Sequence, residues 1–393
     1  MRGVAPCIAI MDDAFAARIA QALGEAPPQA TGVAVVRLGA IRRNYRKLRE
    51  LAALAETAAV VKANAYGLGA AAVVPALETE GCRTAFVATL AEAQALRALS
   101  KATIYVLNGL LPGTAPAFEE LQARAVLSSL DEVAEWVAYC KARGKALPAA
   151  IHIDTGMTRL GLPEEQVRRL VQTPELLSSF NLCLIISHLV CGDEPSHGKN
   201  EEQLARFEEL TSLFPGVPRS LANSAGVFLG PRFHFDLVRP GIALYGGRSA
   251  STGPNPMEPV LWLFGRIAEV SWAEAGQTVG YNATQTLKRR TRIATATAGY
   301  ADGYFRALSS SDAREGPPAF AGAHRLPLLG RVSMDLITFD ATDAPEDAMR
   351  RGGFVELLGE RVTVDDLAGF AGTIGYEVLT SLGRRYHRVY VDE

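Results

Sequence analysis

Short apolar runs recur along the first two-thirds of the chain, with helix-compatible segments between most of them. Eight such runs lie between residues 58 and 246, at 58–63, 85–90, 103–108, 123–129, 149–155, 183–189, 219–224 and 237–245. Apolar strands that alternate with helices predict a parallel sheet with right-handed crossovers. An open doubly wound sheet has the same local pattern, but eight units are the number that closes a (β/α)8 TIM-type barrel. The count therefore favours a barrel in an α/β fold.

The pattern changes after Ser249, where a Gly- and Pro-containing linker follows at 251–256. Beyond it, apolar residues alternate with period two, as in half-buried strands, along 263–272, 291–297, 331–340 and 353–358. We expect short helices near 363–371 and 376–384. The predicted organisation is a dispensable N-terminal arm that need not be ordered, a barrel and a smaller, mainly β C-terminal domain, at residues 1–30, 31–250 and 256–393.

Composition and charge exclude several classes of protein. Forty basic and 42 acidic residues leave a net charge of −2 without a basic block, so nucleic acid is an unexpected partner. The five scattered cysteines lack CxxC spacing, which indicates reduced thiols in the cytoplasm and no metal site. No apolar stretch approaches the roughly 20 residues of a membrane helix, and no signal peptide is recognised.

Lys62 is the first candidate for chemistry. It follows the apolar run Ala58–Val61 and precedes a turn-like Asn-Ala-Tyr-Gly sequence. Ligands gather at the carboxyl ends of parallel strands, and a desolvated lysine amine can act as a nucleophile that forms a Schiff base. A lysine that extends its amine to solvent at a strand end is an equally good interpretation of this segment alone.

Other polar clusters end later strands of the predicted barrel. Asp154, after the fifth strand, is either part of a site or the cap of an ordinary turn. His188, after the sixth, either contacts a planar ligand or is a hydrogen-bonded interior histidine. Asn223 and Ser224, after the seventh, offer a hydroxyl and backbone N–H groups to an anion and also suit a helix cap.

Arg239 gives a sharper prediction because a guanidinium at a barrel mouth needs a partner. The next residues, Pro240 and Gly241, let the backbone approach a phosphate closely. Barrels commonly bind phosphate after strands seven and eight. A lysine at strand one, an arginine and a phosphate site at strands seven and eight together have the layout for pyridoxal phosphate.

From about residue 33 to the end, the chain resembles the alanine racemases, fold-type III pyridoxal-phosphate enzymes. The resemblance rests on six elements that occur in order, beginning at Lys62, Asp154, Val238, Gly299, Arg331 and Gly375: KANAYG, DTGM, VRPG, GYADG, RVSMD and GYE. It implies a homodimer that interconverts L- and D-alanine and supplies D-alanine for peptidoglycan.

The resemblance also implies roles for individual residues. Lys62 binds pyridoxal 5'-phosphate and is one catalytic base, and Tyr281 of the other subunit is the second. Arg239 partners the pyridine nitrogen. Further cofactor-binding positions are Tyr66, His188, Asn223, Ser224, Gly241, Ile242 and Tyr376. Arg159 and Met334 are substrate-binding positions. The supporting positions are Asp335, Tyr300 and Arg306, and Arg306 orients Tyr281.

Three positions depart from the family pattern. Leu68 replaces a common histidine, Ser333 replaces a cysteine, and His152 stands where many relatives have a carbamylated lysine that braces the substrate arginine. Three other functions share part of this pattern. A broader alanine and serine racemase stays open, a barrel-only pyridoxal-phosphate homeostasis protein would lack Tyr281, and a fold-type III decarboxylase would have a different C-terminal half.

Overall fold

The computed structural model describes residues 13–393 and divides into two compact units. One unit combines the chain up to Ala40 with Pro259–Glu393, and the other is Ile41–Glu258. No helix in the described part of the chain is long and apolar enough to cross a membrane.

The N-terminal segment consists of α1 (Asp13–Gly24), β1 (Gly32–Arg37) and α2 (Leu38–Leu51). Strand β1 pairs antiparallel with residues 261–265 and parallel with residues 387–391. Phe15 and Ile19 of α1 pack against Val33, Val35 and Trp262 in one core cluster. The predicted arm at 1–30 thus contains an ordered helix from Asp13, and its first 12 residues lie outside the described part.

The predicted barrel start at residue 31 also differs from the observed unit boundary after Ala40. The boundary differs because β1 pairs with residues 261–265 and 387–391 and so belongs to the sheet of the other unit. All six residues of β1 are buried, and a buried strand of this kind fits either sheet.

The unit Ile41–Glu258 alternates short parallel strands with helices. Its strands are β2 (Glu56–Thr57), β3 (Ala59–Val60), β4 (Thr84–Val87), β5 (Thr103–Val106), β6 (Ala123–Leu127), β7 (Pro148–His152), β8 (Asn181–Ile186), β9 (Arg219–Ser220) and β10 (Leu237–Val238). Its helical segments are α3 (Lys62–Tyr66), α4 (Ala70–Thr79), α5 (Leu90–Arg97), α6 (Ala115–Leu121), α7 (Leu130–Arg143), α8 (Glu164–Val171), α9 (Pro174–Leu177), α10 (Lys199–Thr211) and α11 (Ser224–Phe228).

These strands form a closed ring. Strands β3 to β9 pair in chain order, Asn223 bridges to Arg239, and β10 pairs with β2, which is separated from β3 only by Ala58. The strands fall within or beside the eight predicted runs, so the predicted α/β barrel is confirmed. As in other barrels, the carboxyl ends of the strands carry the polar clusters.

The C-terminal part of the other unit is mainly an antiparallel sheet. Its elements are β11 (Leu261–Ala273), β12 (Thr291–Thr297), β13 (Ala319–Ala321), β14 (His324–Leu326), β15 (Leu328–Leu329), β16 (Ile337–Asp340), β17 (Phe354–Leu358), α12 (Val364–Ala371), α13 (Gly375–Thr380) and β18 (His387–Val391). The predicted strand at 331–340 starts only at Ile337. Ser333 makes the difference, since its hydroxyl accepts from Leu336 N at 3.2 Å and donates to Leu336 O at 2.7 Å, which closes a turn.

Candidate active site

Lys62 lies two residues beyond β3, as predicted from the sequence. The end of that strand is fixed by Tyr245, whose hydroxyl donates to Val60 O at 2.9 Å. Burial and the nearby charge of Arg159 lower the pKa of Lys62, and the carboxylate of Glu92 opposes them. A partly desolvated amine beside a second cation spends more of its time neutral, the state that a nucleophile or base requires.

The segment that follows Lys62 is a left-handed turn. Ala63, Asn64, Ala65 and Tyr66 have φ values of 51°, 57°, 53° and 53°. Non-glycine residues favour this region only when other contacts stabilise it. Two side chains do so: Glu92 Oε1 accepts from Ala63 N at 2.7 Å, and Asn64 Oδ1 accepts from Ala70 N at 2.9 Å. Sequence reasoning missed Glu92, whose capping position in a Thr-x-x-Glu pattern was its only signal.

Ser224, Gly241 and Tyr66 come together at the ends of the last two barrel strands. Ser224 Oγ accepts from Gly241 N at 2.8 Å and from Ala243 N at 3.3 Å. A Cβ at Gly241 would lie 2.3 Å from Tyr66 Oη, so only glycine allows this approach. Buried Ile242 follows at the start of a 3-10 turn. A hydroxyl and a phenol therefore lie beside two backbone N–H groups, both of which donate to Ser224 Oγ here. A phosphate bound at this place could accept from these groups instead.

Asn223 has the capping role that the sequence allowed, because its Oδ1 accepts from Gly226 N at 2.9 Å. Asp154 likewise caps a turn: its Oδ1 accepts from Gly156 N, Met157 N and Thr158 N at 2.9, 2.9 and 3.1 Å. This turn leads to Arg159, whose side chain is exposed.

Arg239 is a buried cation with neutral partners. Its Nη1 donates to Ser220 O at 2.8 Å and to the Ser220 hydroxyl, and its Nη2 donates to Ser187 O. Burial lowers the pKa of Arg239 to about 10. No carboxylate pairs with it among residues 13–393. A buried guanidinium without a counterion favours a bound acceptor or anion.

Two histidines lie near Arg239. Burial first and then the charge of Arg239 lower the pKa of His188 to about 3 and that of His152 to about 4, so both rings are neutral at neutral pH. Gln203 Nε2 fixes the His188 backbone by donating to its carbonyl at 2.9 Å and also donates to Thr155 Oγ1 at 3.0 Å. Sequence reasoning missed Gln203, since nothing in its helical surroundings marks it.

The remaining candidates belong to the unit with the C-terminal sheet. Each has a substantially exposed side chain: Tyr281 66%, Met334 53%, Tyr300 40% and Tyr376 38%. Backbone bonds join two of these segments, from Tyr300 N to Ser333 O and from Ala301 N to Met334 O, both at 3.1 Å. No hydrogen bond between Arg306 and Tyr281 occurs in the described structure, so the expected orienting contact is not seen within one chain.

Arg385 connects two acidic groups of this segment. Its Nε donates to Asp302 Oδ1 and its Nη1 to Asp335 Oδ1, each at 2.7 Å. The carboxylate of Asp302 in turn accepts from Gly299 N at 3.0 Å. Arg385 was not predicted, and it fixes the turn on which Tyr300 lies.

The fold and these groups define a barrel protein with a lysine-centred site and an additional antiparallel sheet. The alanine racemase N-terminal domain model matches residues 36–249, and the alanine racemase C-terminal domain model matches residues 260–390. The chain therefore belongs to the alanine racemase family, and the predicted resemblance is confirmed.

Individual relatives agree with this assignment. An alanine racemase of Methylobacterium sp. (strain 4-46) is 48% identical over 91% of this chain and 97% of its own length. A protein of Agrobacterium fabrum named "Alanine racemase, catabolic" is 46% identical over 92% of each chain. The crystal structure of alanine racemase from Bartonella henselae, with covalently bound pyridoxal phosphate, has a TM-score of 0.87 at 39% identity and covers 92% of this chain and 100% of that one.

Proposed function

We propose that the chain is a pyridoxal-phosphate-dependent alanine racemase that interconverts L- and D-alanine in the cytoplasm. The proposal rests on two residues at the carboxyl ends of barrel strands. Lys62 is partly desolvated, and Arg239 is buried without a counterion among the described residues. The Bartonella relative supports the cofactor, and the family supports the reaction.

The residues present fit this cofactor. Lys62 would hold it covalently, Arg239 would donate to its pyridine nitrogen, and Ser224 with Gly241 N would hold its phosphate. Gly241 lies close to Tyr66, and any larger residue at position 241 would clash with the Tyr66 hydroxyl. Bound pyridoxal phosphate supplies the electron sink that acidifies the Cα proton of alanine. A donor that keeps its own proton, as arginine does, leaves the pyridine nitrogen unprotonated.

Two groups would move the Cα proton. Racemisation removes it from one face and returns a proton to the other, which requires a base on each side. Lys62 Nζ serves one face and Tyr281 Oη the other. Arg159 and Met334 would contact the substrate.

We propose that a second copy of the chain completes the site. The candidate base Tyr281 is 66% exposed in a single chain, and Met334 and Leu336 of the same unit are exposed as well. Exposed aromatic and methionine side chains are enriched at protein interfaces. A homodimer would cover these groups, and Tyr281 of each chain would face Lys62 of the other.

We further propose that the product D-alanine feeds peptidoglycan synthesis. The Agrobacterium relative named as catabolic gives a specific reason to consider the opposite role, breakdown of D-alanine. Deletion of the gene distinguishes them: a requirement for added D-alanine supports the biosynthetic role, and loss of growth on D-alanine alone supports the catabolic one.

Borohydride reduction of the pyridoxal-phosphate-loaded protein, followed by peptide mapping, tests the central assignment. The cofactor should be fixed on the peptide that contains Lys62. A label on Lys101, Lys145 or Lys199 would show that the site lies elsewhere. A racemisation assay with a panel of L-amino acids separates an alanine racemase from a broader enzyme.

A further inference from the structure

A cavity of about 340 Å³ lies at the opposite end of the barrel strands from Lys62. Its walls include Thr103, Ala123 and Pro148, which begin β5, β6 and β7. This volume is at the small end of the range for small-molecule sites. The amino-terminal face of a barrel usually serves stability, so its chemistry needs a separate explanation.

The cavity collects positive charge. Arg97, Lys101 and Arg124 line it, and none of them pairs with a carboxylate in the described part of the chain. The one acidic lining residue, Glu119, is already engaged: it accepts from Tyr139 Oη at 2.6 Å, from Arg143 Nε at 2.9 Å and from Lys145 Nζ at 3.0 Å. These three donors lower the pKa of Glu119 to about 2.

Two of the cations are held in place by neutral acceptors. Arg97 donates to Leu121 O at 2.8 Å and to Ser100 O at 2.9 Å, while Arg124 Nη1 donates to Tyr105 Oη at 2.7 Å. Such bonds orient the guanidinium groups without neutralising them. Because these guanidinium groups are already ordered, little binding free energy is lost in ordering them when an anion binds.

The cavity lining also contains apolar residues. Phe118 and Trp136 are buried and meet edge to face at 6.1 Å between ring centroids, with Leu147 and Pro148 beside them. The buried Trp136 Nε1 lacks a hydrogen-bond partner among the described residues, which is uncommon for an indole N–H. The lining thus combines cations with aromatic side chains. An inorganic anion would contact only the cations.

We propose that this cavity binds a small organic carboxylate with an aromatic or branched apolar body. The carboxylate would contact Arg97, Lys101 and Arg124, and the apolar body would lie against Phe118 and Trp136. The site is separate from the one proposed for racemisation.

Calorimetric titration of the full chain, loaded with pyridoxal phosphate, tests this with 3-phenylpropanoate as the probe. We expect one saturable site per chain that persists in the presence of alanine. The uncharged 3-phenylpropanamide and inorganic phosphate should each bind at least about tenfold more weakly, the scale of one lost charge-assisted hydrogen bond. Equal binding of either one, displacement by alanine, or no saturable binding would overturn the proposal.

Variants locate the site. Arg124→Gln should weaken binding about tenfold. Lys101 is exposed, and its side chain has no hydrogen bond or ion pair within the described structure, so Lys101→Gln should fold normally and weaken binding several-fold. This variant tests the site if Arg124→Gln fails to fold. Lys141→Gln, an exposed lysine of α7 outside the cavity lining, is the matched control and should bind as the unmodified protein does. Unchanged affinity in both lining variants would place the probe elsewhere.

Discussion

Glu92 Oε1 accepts a hydrogen bond from Ala63 N at 2.7 Å, which links the cap of helix α5 to the left-handed turn after Lys62. The other oxygen, Oε2, accepts from Ala88 N at 2.7 Å, and Thr89 completes a capping box with Glu92. Both oxygens are therefore acceptors, and the negative charge also favours protonated Lys62. One carboxylate supports the helix, the turn and the electrostatics of the amine.

Glu92→Gln should lower the free energy of unfolding of the apo protein by about 1–2 kcal/mol, because an amide has one acceptor oxygen and leaves a backbone N–H unpaired. A guanidinium titration measures the change. Asp131→Asn, an exposed acidic residue in the first turn of α7, is the control and should change stability by less than about 0.5 kcal/mol. Equal stability of Glu92→Gln and the unmodified protein would contradict the bridging role.

Arg159→Gln should shift the pH dependence of cofactor uptake. The charge of Arg159 is one cause of the lowered pKa of Lys62, so its removal raises that pKa. The reactive amine must be neutral, and uptake of pyridoxal phosphate by the apo protein should therefore need a higher pH. Stopped-flow absorbance follows the rate. Arg169→Gln, another exposed arginine, should leave the midpoint in place, and a midpoint that moves to lower pH in Arg159→Gln would refute the argument.

His152 predicts a stability difference in mild acid. Burial and the charge of Arg239 lower its pKa from 6.5 to about 4, so the unfolded chain binds a proton at this residue before the folded chain does. The contribution of neutral His152 to the free energy of unfolding is complete above pH 6.5 and is lost as the pH falls towards 4. The stability advantage of the unmodified protein over His152→Asn should shrink by up to about 3 kcal/mol across this window. A stability difference between the unmodified protein and His152→Asn that stays constant across this window would contradict the lowered pKa of His152.

Tyr281→Phe should bind the cofactor normally yet racemise roughly 100-fold more slowly or worse, the scale of a positioned general acid–base. Exchange of the Cα proton with deuterated solvent, followed by NMR from each enantiomer separately, should be lost unequally because only one face depends on the phenol. Tyr390→Phe, at an exposed tyrosine of β18 outside the candidate site, is the comparison and should retain most racemisation. Full activity in Tyr281→Phe would eliminate the two-base mechanism.

Mixing Lys62→Ala with Tyr281→Phe tests the shared site. Both lesions can fall in one site of a mixed dimer and leave the other intact, so activity should return to about half of the sites per heterodimer. Native mass spectrometry confirms that subunits have exchanged. A mixture that contains heterodimers but stays inactive would mean that each chain supplies both of its own bases.

The barrel could be predicted because eight apolar runs are counted directly along the chain. Strand β1 could not be assigned in the same way, since the burial of Gly32–Arg37 on both faces does not identify its neighbours. Pairing with β11 and β18 joins residues more than 200 positions apart, which only tertiary packing selects. Similarly, apolar alternation suggested a strand at Arg331, but the hydroxyl of Ser333 closes a turn there instead.

At the site, motif residues such as Lys62 and Arg239 were found from sequence, and the structure places them at strand ends. Residues that hold them were missed. Glu92, Gln203 and Arg385 act through hydrogen bonds to distant backbone or side chains, and their own surroundings look like ordinary helix or loop. Charge and polarity along the chain do not encode such contacts.

The parallel pairing of β1 with β18 has a consequence for synthesis on the ribosome. Val33 lies opposite His387, so one edge of the apolar strand β1 has no partner until β18 has been made, although β11 pairs with the other edge earlier. At about 5–20 residues per second, that delay is on the order of 20–70 seconds. The continuous segment Ile41–Glu258 emerges in the meantime. It can fold before the unit that brackets it, and during that interval the unpaired edge of β1 is open to pairing with another chain.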